Sequence, residues 1–340
     1  MKAIRFHEHG GADVLRYEDV PNPSLVNGEA LIRVHACALN HLDLWHRRGI
    51  PGVEAALPMI GGSDASGEIV ESGVSGLPVG MRVMLQPGIS CGHCQACLSG
   101  LDNLCPEYAV LGTREAGACA EFVKVPAANL IPIPDHVDFN TAAAFPLTFL
   151  TAWQMLLTRA RLQCGDDVLV IAGGSGVGQA AIQIAKIHGA RVFATAGSDI
   201  KLTKSRELGA DAAVNHYDED LPVRIRELTD GRGVDIVVEH VGEATWDRSL
   251  RCLAKGGRLV TCGATTGYKS NVDLRFLFVR QLSLLGSYMG SKGELRKAAK
   301  LFFSGRLNPV IDSCFSLEQA AEAHTRLESS DHFGKIVLTC

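Results

Sequence analysis

The pattern of apolar and polar positions divides the chain into two parts that differ in rhythm. In the first part, short runs at 30–36, 67–72 and 82–86 are separated by Gly and Pro, which predicts the strands and turns of a β-rich domain. From Asp167 onward, apolar strands alternate with amphipathic segments, beginning with strands at 168–172 and 191–195. Such alternation predicts a parallel sheet with helices on its faces, so the expected fold class is α/β.

The alternation continues through most of the remaining chain. It predicts helices at 201–208 and 221–228, and strands at 212–215, 234–239, 258–262 and 283–287. Amphipathic stretches at 295–303 and 317–327 then precede a final strand at 335–339. The composition changes between 125 and 150, where we place the boundary between the two parts.

The totals exclude several classes of protein. With 340 residues and a formal net charge of −4, the chain lacks the basic excess of a nucleic-acid-binding protein. Charged residues interrupt the first 25 positions, and no later apolar run reaches membrane-spanning length. We therefore expect a soluble, cytoplasmic protein without nucleic-acid or membrane partners.

Most of the eleven cysteines carry little information about function. In a reducing compartment disulfides are disfavoured, so metal binding, catalysis or burial remain. Scattered cysteines are interpreted as small core residues, and these are Cys37, Cys119, Cys164, Cys252, Cys262, Cys314 and Cys340.

Four other cysteines form a quartet. Cys91, Cys94, Cys97 and Cys105 are separated by two, two and seven residues. Four thiolates from one loop can surround Zn²⁺ tetrahedrally and leave no position for substrate, so the quartet predicts one structural zinc ion. Surface cysteines or two disulfides are the alternative, and His93 inside the loop is interpreted as a bystander.

A glycine-rich turn follows directly on the predicted strand at 168–172. Apolar residues after the turn recur at helical spacing. Glycines allow a tight turn, and the amides at the start of a helix favour a bound pyrophosphate. A plain strand-to-helix connection is the alternative, but this context favours a nicotinamide dinucleotide. The predicted binding residues are Gly173, Gly174, Ser175, Gly176, Val177 and Gly178.

The end of the next strand bears on which dinucleotide is bound. NAD sites of this type carry an acidic residue about 20 positions past the glycine motif, whereas residues 195–198 contain no carboxylate. Ser198 and Lys201 could bind a 2′-phosphate, so NADP(H) is favoured over NAD(H). Asp199 argues against this preference, and an exposed Lys201 without a ligand is the alternative.

A cysteine loop ahead of a glycine-rich strand and helix, with a short return segment, resembles the medium-chain dehydrogenase/reductase superfamily over essentially the whole chain. This superfamily includes zinc alcohol dehydrogenases and quinone oxidoreductases. The resemblance implies a GroES-like catalytic domain over 1–130, completed by about 290–340, and a Rossmann domain with a doubly wound parallel sheet over 131–289. It also implies an active site in the cleft between the domains, a small-molecule substrate and a homodimer or homotetramer.

The positions of a second, catalytic zinc ion depart from the pattern of zinc alcohol dehydrogenases. Those enzymes use an early cysteine, the histidine of a Gly-His-Glu motif, and a later cysteine or acidic residue. Here Asn40, Ser63 and Leu147 stand at these positions, and none is a good zinc ligand. Leu42 and Trp45 likewise replace the hydroxyl and histidine of the proton relay. We expect one zinc ion per chain.

Other residues resemble the zinc-free quinone and enone reductases of the superfamily. Asn40 and Asp43 match an Asn-x-x-Asp pair, which implies that Asn40 orients a substrate carbonyl. Asp43 either takes part in catalysis or fixes its loop by hydrogen bonds. Thr151 matches a threonine near the nicotinamide. The strand ends that flank the nicotinamide correspond to Gly263, Ala264, Leu285, Gly286 and Ser287.

These residues predict an NAD(P)H-dependent oxidoreductase that reduces a quinone or an α,β-unsaturated carbonyl without catalytic zinc. An activated acceptor takes up hydride without a Lewis acid, whereas oxidation of a simple alcohol loses transition-state stabilisation without one. One alternative is a zinc-dependent alcohol or aldehyde dehydrogenase with a site rebuilt from Cys37, His41, His46 and Asp64. Another is a protein that binds NADPH without turnover.

Overall fold

The computed structural model describes residues 1–52 and 56–340 of the chain. Its strands are β1 (Lys2–Phe6), β2 (Leu15–Asp19), β3 (Glu29–Ala38), β4 (Met59–Ile60), β5 (Asp64–Ser72), β6 (Arg82–Leu85), β7 (Gly88–Ile89), β8 (Ala109–Val110), β9 (Phe122–Pro126), β10 (Leu130–Pro132), β11 (Asp167–Val170), β12 (Arg191–Ala196), β13 (Ala212–Asn215), β14 (Val234–Glu239), β15 (Leu253–Thr261), β16 (Ser283–Gly286), β17 (Ile311–Ser316) and β18 (Lys335–Thr339). Its α-helices are α1 (His41–Arg48), α2 (Gln95–Leu98), α3 (Phe139–Ala144), α4 (Pro146–Trp153), α5 (Gly176–Ile187), α6 (Asp199–Glu207), α7 (Leu221–Leu228), α8 (Trp246–Cys252), α9 (Leu274–Val279), α10 (Lys292–Phe303) and α11 (Ala320–Glu328). Among these described residues, no helix has the length and apolar character needed to cross a membrane.

The elements form two compact units. Residues Met1–Leu147 and Gly290–Cys340 make up the first unit, and Thr148–Met289 make up the second. The first stretch of the first unit ends at Leu147, within the range 125–150 where the composition changes, and it includes α3, which packs on the large sheet. The alanines of α3 are buried against β3 and β18, which a boundary near 130 would separate from them.

The first unit is rich in β-structure. Its largest sheet has the strand order β10-β6-β5-β3-β18-β17, and β9 also pairs with β3. β3 is antiparallel to β5, β9 and β18. Since β17 and β18 come from the last thirty residues, the return segment completes a sheet that begins near the other end of the chain. This confirms the β-rich domain that the alternating runs predict.

The second unit contains a parallel sheet with the strand order β13-β12-β11-β14-β15-β16. Successive strands run outward from β11 on one side and from β14 on the other, so the order reverses between these two strands. Leu169, Val237 and Leu259 on three adjacent strands are fully buried in one apolar cluster. Parallel strands covered on both faces have this apolar character. The predicted α/β class is confirmed.

Several predicted elements have the observed bounds. Strands Ala212–Asn215, Val234–Glu239 and Lys335–Thr339 and helix Leu221–Leu228 begin and end as their apolar patterns indicate. The interpretation of the scattered cysteines as core residues is partly wrong. Cys37, Cys119 and Cys252 are buried and Cys262 is half-buried, but Cys164, Cys314 and Cys340 are exposed.

Candidate functional site

The four cysteines of the quartet meet at one point of the first unit. The Cys91 and Cys105 sulfur atoms lie 3.6 Å apart, those of Cys94 and Cys97 lie 3.6 Å apart, and those of Cys91 and Cys97 lie 3.9 Å apart. A zinc–sulfur bond of about 2.3 Å implies a sulfur–sulfur edge of about 3.8 Å in a tetrahedron. The thiols therefore already have the spacing of a structural zinc site, and all four would hold the ion.

The backbone around Cys91 favours a thiolate at that cysteine. Backbone amides of His93 and Cys94 lower the pKa of the Cys91 thiol to about 6. The His93 ring hydrogen-bonds the carbonyl of Cys91 at 2.9 Å and is no member of the metal-binding group. Among residues 1–52 and 56–340, the quartet is the one group of three or more His, Cys, Asp or Glu side chains placed to share an ion.

The start of the return segment anchors the cysteine loop. The Lys292 amide donates to Asp102 Oδ1 at 3.0 Å, and its ammonium contacts Asp102 Oδ2 at 3.3 Å and Ser90 Oγ at 2.9 Å. Asp102 lies in the short helical turn just before Cys105. The cysteine loop and the N-terminus of α10 therefore form one structural assembly.

The glycine-rich turn connects β11 to α5 in the second unit. Ser175 is the N-cap of α5, and its hydroxyl accepts a hydrogen bond from the Gly178 amide at 2.8 Å. A Cβ at Gly178 would lie 2.3 Å from the Ala172 carbonyl oxygen, so only glycine fits. The turn packs closely on the sheet, and the start of a helix is a place where backbone amides and the helix dipole stabilise a pyrophosphate. The geometry fits a dinucleotide.

Ser198 and Lys201 lie after β12, as the sequence predicts. Ser198 is exposed at the N-terminus of α6, and Lys201 lies one turn further along this helix. A Cβ at Gly197 would lie 2.5 Å from the Tyr217 ring and 3.3 Å from the His216 ring, so both rings border this turn. Burial lowers the pKa of His216, and the neighbouring charges of Arg248 and Lys201 lower it further.

His216 and Tyr217 are binding candidates that composition does not reveal. They follow β13 directly, and Tyr217 is 79% exposed. Residues that follow the carboxyl ends of parallel strands line the ligand crevice of such sheets. That rule, applied to the predicted strand 212–215, is the signal that would have found them.

A buried polar cluster occupies the region where Asn40, Ser63 and Leu147 were expected to replace zinc ligands. The Asp64 carboxylate accepts from Asn40 Nδ2 at 2.9 Å and from the Leu147 amide at 2.8 Å. The Lys335 ammonium donates to Asn40 Oδ1 at 2.5 Å and to Asp64 Oδ2 at 3.2 Å. Lys335 is 2% exposed and Asp64 is fully buried. An ammonium therefore supplies positive charge beside Asp64.

The remaining positions of the expected zinc site are also engaged. The Ser63 hydroxyl donates to the Leu111 carbonyl at 2.8 Å. Burial raises the pKa of Asp64, and the Lys335 charge opposes this shift. The alternative set of Cys37, His41, His46 and Asp64 is not brought together as a metal-binding group; Cys37 instead lies 3.6 Å from Cys119, sulfur to sulfur.

Asp43 fixes the loop around this cluster. Its carboxylate accepts from the backbone amide of Asn40 at 2.7 Å and from the backbone amide of Gly62 at 3.0 Å. The first of these bonds belongs to a capping box at the start of α1. Burial raises the pKa of Asp43 to about 6, against the lowering effect of the two backbone amides. Of the two roles considered for Asp43, catalysis and fixing its loop, these hydrogen bonds correspond to the second.

The residues expected beside the nicotinamide belong to the second unit. Thr151 is buried on α4, and Gly263 and Ala264 follow β15. Leu285 and Gly286 end β16, and the Ser287 amide donates to the Thr261 carbonyl at 2.8 Å. The Ser287 hydroxyl is buried without a hydrogen-bond partner among the described residues.

The fold and these sites are those of a dinucleotide-dependent oxidoreductase with two structural units and a cysteine loop suited to zinc. Residues 26–135 match the alcohol dehydrogenase GroES-like domain family, and residues 176–304 match the zinc-binding dehydrogenase family. A quinone oxidoreductase of Rattus norvegicus is 31% identical over 99% of this chain and 97% of its own length. An NAD-dependent alcohol dehydrogenase of Sulfolobus acidocaldarius is 32% identical over 99% of both chains.

Solved structures agree with these matches. The crystal structure of an NAD-dependent alcohol dehydrogenase is 46% identical, with a TM-score of 0.97 over 100% of both chains. The chain belongs to the medium-chain dehydrogenase/reductase superfamily. The GroES-like and Rossmann architecture that the resemblance implies is confirmed, and the chain is an oxidoreductase of this superfamily.

Proposed function

We propose that the chain reduces a quinone or an α,β-unsaturated carbonyl with a hydride from NAD(P)H and without catalytic zinc. The observation that carries this proposal is the buried cluster of Asn40, Asp64 and Lys335. Amide, carboxylate and ammonium hydrogen-bond one another at 2.5 to 3.2 Å in the region where an alcohol dehydrogenase would bind its catalytic ion. Ser63 and Leu147 offer no imidazole or thiolate there.

The proposed reaction uses chemistry that these residues can support. When bound, the reduced nicotinamide supplies the hydride. The oxygen of the acceptor then gains negative charge, which an amide donor stabilises. Asn40 Nδ2 donates to Asp64 at 2.9 Å and, at a longer 3.3 Å, to the Ala38 carbonyl. A substrate carbonyl would take the place of the Ala38 carbonyl at this second, longer bond.

Lys335 would strengthen this donor. Its ammonium donates to Asn40 Oδ1, and a positive charge on the amide oxygen side makes the N–H groups better hydrogen-bond donors. Asp43 holds the Asn40 backbone in place through its own hydrogen bond at 2.7 Å. The proton that completes the reduction would come from solvent.

We propose NADP(H) as the preferred coenzyme. Lys201 and Arg248 place positive charge around the His216 ring next to Ser198, and residues 195–198 contain no carboxylate to accept from a ribose 2′-hydroxyl. The NAD-dependent dehydrogenases among the similar proteins argue for the other coenzyme. Dissociation constants for NADPH and NADH decide the point, and tighter binding of NADH would overturn the preference.

We also propose a homodimer or homotetramer that pairs through β16. This strand is the edge of the six-stranded sheet, and an unpaired edge offers backbone groups to another strand. Apolar side chains between 58% and 68% exposed lie near it in sequence: Leu274, Phe278, Val279 and Tyr288. Light scattering after size-exclusion chromatography should give a multiple of 36.3 kDa, and a monomer would overturn the proposal.

Kinetic assays test the proposed reaction. NADPH and NADH oxidation would be followed by absorbance with a panel of quinones and enones, and alcohol oxidation with NADP⁺ and NAD⁺ would be measured in parallel. Turnover of at least one activated acceptor is expected. No turnover with any of them, together with robust alcohol oxidation, would overturn the proposal.

Two other functions remain as competing hypotheses. The similarity to alcohol dehydrogenases favours a zinc-dependent alcohol or aldehyde dehydrogenase. This hypothesis predicts about two zinc ions per chain rather than one. A protein that binds NADPH without turnover predicts tight binding and no activity across all substrate classes. Metal analysis and the kinetic panel together separate the three.

A further inference from the structure

His240 occupies a position in the second unit that the proposed function does not yet use. It directly follows β14, the strand that pairs with β11 where the strand order reverses. The carboxyl ends of parallel strands lie at one edge of a sheet, so His240 is beside the glycine-rich turn that follows β11. Its Nε2 atom lies 2.9 Å from the Ile171 carbonyl oxygen and 3.2 Å from Ser175 Oγ.

These contacts fix the protonation of the ring. A carbonyl oxygen can only accept a hydrogen bond, so Nε2 carries the proton. Burial lowers the pKa of His240, and the ring is therefore neutral at neutral pH. In a neutral imidazole the other nitrogen, Nδ1, is an acceptor. Within the described part of the chain, no residue donates a hydrogen bond to Nδ1.

Ser175 receives two hydrogen bonds at the same place. Its hydroxyl oxygen accepts from the Gly178 amide and, more weakly, from the single Nε2–H of His240, which it shares with the Ile171 carbonyl. The hydroxyl hydrogen then remains available for an anionic oxygen, such as a pyrophosphate. His240 therefore holds the residue that caps α5, and it presents a free acceptor next to it.

The strand order indicates on which side of the sheet each half of a bound dinucleotide would lie. The pyrophosphate lies at the start of α5, and Ser198 and Lys201 on the β12 side suit the adenosine half. The other half then crosses the ends of β14 and β15. The first group on that side is a ribose, whose hydroxyls are hydrogen-bond donors. The buried, unpartnered Ser287 hydroxyl at the end of β16 lies on the same side.

We propose that His240 is a coenzyme-binding residue whose Nδ1 accepts a hydrogen bond from a hydroxyl of the nicotinamide-bearing ribose, while its Nε2–H holds the glycine-rich turn. The inference rests on the proposed function, because it requires a nicotinamide dinucleotide. It assigns two separate tasks to the two ring nitrogens, and they can be tested separately.

Two substitutions separate the tasks. In His240→Gln the amide nitrogen lies as many bonds from Cα as Nε2 does, so the hold on Ile171 and Ser175 can persist while the Nδ1 acceptor is lost. In His240→Asn the amide lies at the Nδ1 position, so the acceptor persists and the hold is lost. Each variant is titrated with the reduced coenzyme that the wild type binds more tightly, and with the matching adenosine half, 2′,5′-ADP or AMP.

The two variants should differ in a defined way. His240→Gln should raise the Kd of the whole coenzyme about fivefold, the factor of one neutral hydrogen bond, and leave the Kd of the adenosine half within about twofold. His240→Asn should raise both Kd values by similar factors, because the turn that binds the pyrophosphate is loosened. In His240→Gln, an unchanged coenzyme Kd, or equal losses of affinity for the coenzyme and for its adenosine half, would overturn the proposal.

A measurement on the wild type covers the case in which the variants do not fold. A coenzyme analogue without hydroxyls on the nicotinamide ribose should bind about fivefold more weakly than the parent coenzyme, and equal affinity would overturn the proposal. If the wild type binds neither the coenzyme nor its adenosine half, the proposed function fails as well. Binding of the coenzyme with no effect at His240 refutes only this inference.

Discussion

Replacement of Lys335 by methionine tests whether the buried ammonium stabilises the first unit. Methionine keeps most of the side-chain volume but removes the charge. Asp64 is fully buried and would keep only its bonds from Asn40 Nδ2 at 2.9 Å and from the Leu147 amide at 2.8 Å. Removal of one partner from a buried ion pair leaves an uncompensated charge, which costs about 3–5 kcal/mol of unfolding free energy.

The loss in the Lys335 variant should depend on pH. Burial raises the pKa of Asp64, and the lost ammonium no longer opposes the shift. A carboxyl group whose pKa is higher in the folded than in the unfolded state destabilises the fold as pH rises above the unfolded value. Protonation of Asp64 relieves the cost, so the loss should be larger near about pH 8 than near about pH 5.

Urea unfolding followed by circular dichroism measures these changes. Lys124→Met is the matched control in the same unit, because Lys124 pairs with Glu29 at 3.3 Å with its side chain 35% exposed. Such a surface pair contributes less than about 1 kcal/mol. The double variant Lys335→Met with Asp64→Asn should recover at least part of the loss, since no unpaired charge remains. A loss at Lys335 no larger than the control, or strict additivity in the double variant, would refute the reasoning.

Three further predictions concern the other sites. Metal analysis should find about one zinc ion per chain, and Cys105→Ser should lower that content because three thiolates leave the tetrahedron open; two ions per chain would indicate a second site. Lys201→Ala should weaken NADPH binding about tenfold and NADH binding less than twofold in fluorescence titrations, and equal losses would exclude the phosphate role. Asp43→Ala should lower the unfolding free energy by about 2–4 kcal/mol in urea, because the Asn40 and Gly62 amides lose their acceptor; a loss under about 1 kcal/mol would contradict this account.

Features encoded by neighbouring residues could be predicted from the sequence. The cysteine quartet lies within fifteen residues, so its spacing alone indicates the tetrahedron that the sulfur distances form. Strand Val234–Glu239 is largely buried, and the apolar residues at 234 and 236–238 indicate its position in the sequence. The glycine-rich turn is identified by the strand before it and the helix after it.

Features that depend on distant residues could not be predicted. Lys335 lies 295 positions from Asn40, and nothing in a single sequence shows that the two meet. The apolar pattern predicts a strand at 335–339. Because lysine is almost never buried without a partner, the sequence predicts that Lys335, the first residue of this strand, is exposed. His240 could have been identified as a binding candidate from the sequence, because it follows a predicted parallel strand at the edge where ligands bind.

The pairing of β18 with β3 has a consequence for synthesis of the chain. Ala38 on β3 pairs with Val337 on β18, and the whole second unit lies between them in sequence. At about 5–20 residues per second, the ribosome adds the intervening residues over roughly 15 to 60 seconds. During that time the second unit can fold, while the end of β3 at Ala36–Ala38, which β18 will cover, keeps its backbone groups open to other chains. A chain that stops before β18 would therefore retain a foldable Rossmann unit and carry an aggregation-prone strand edge.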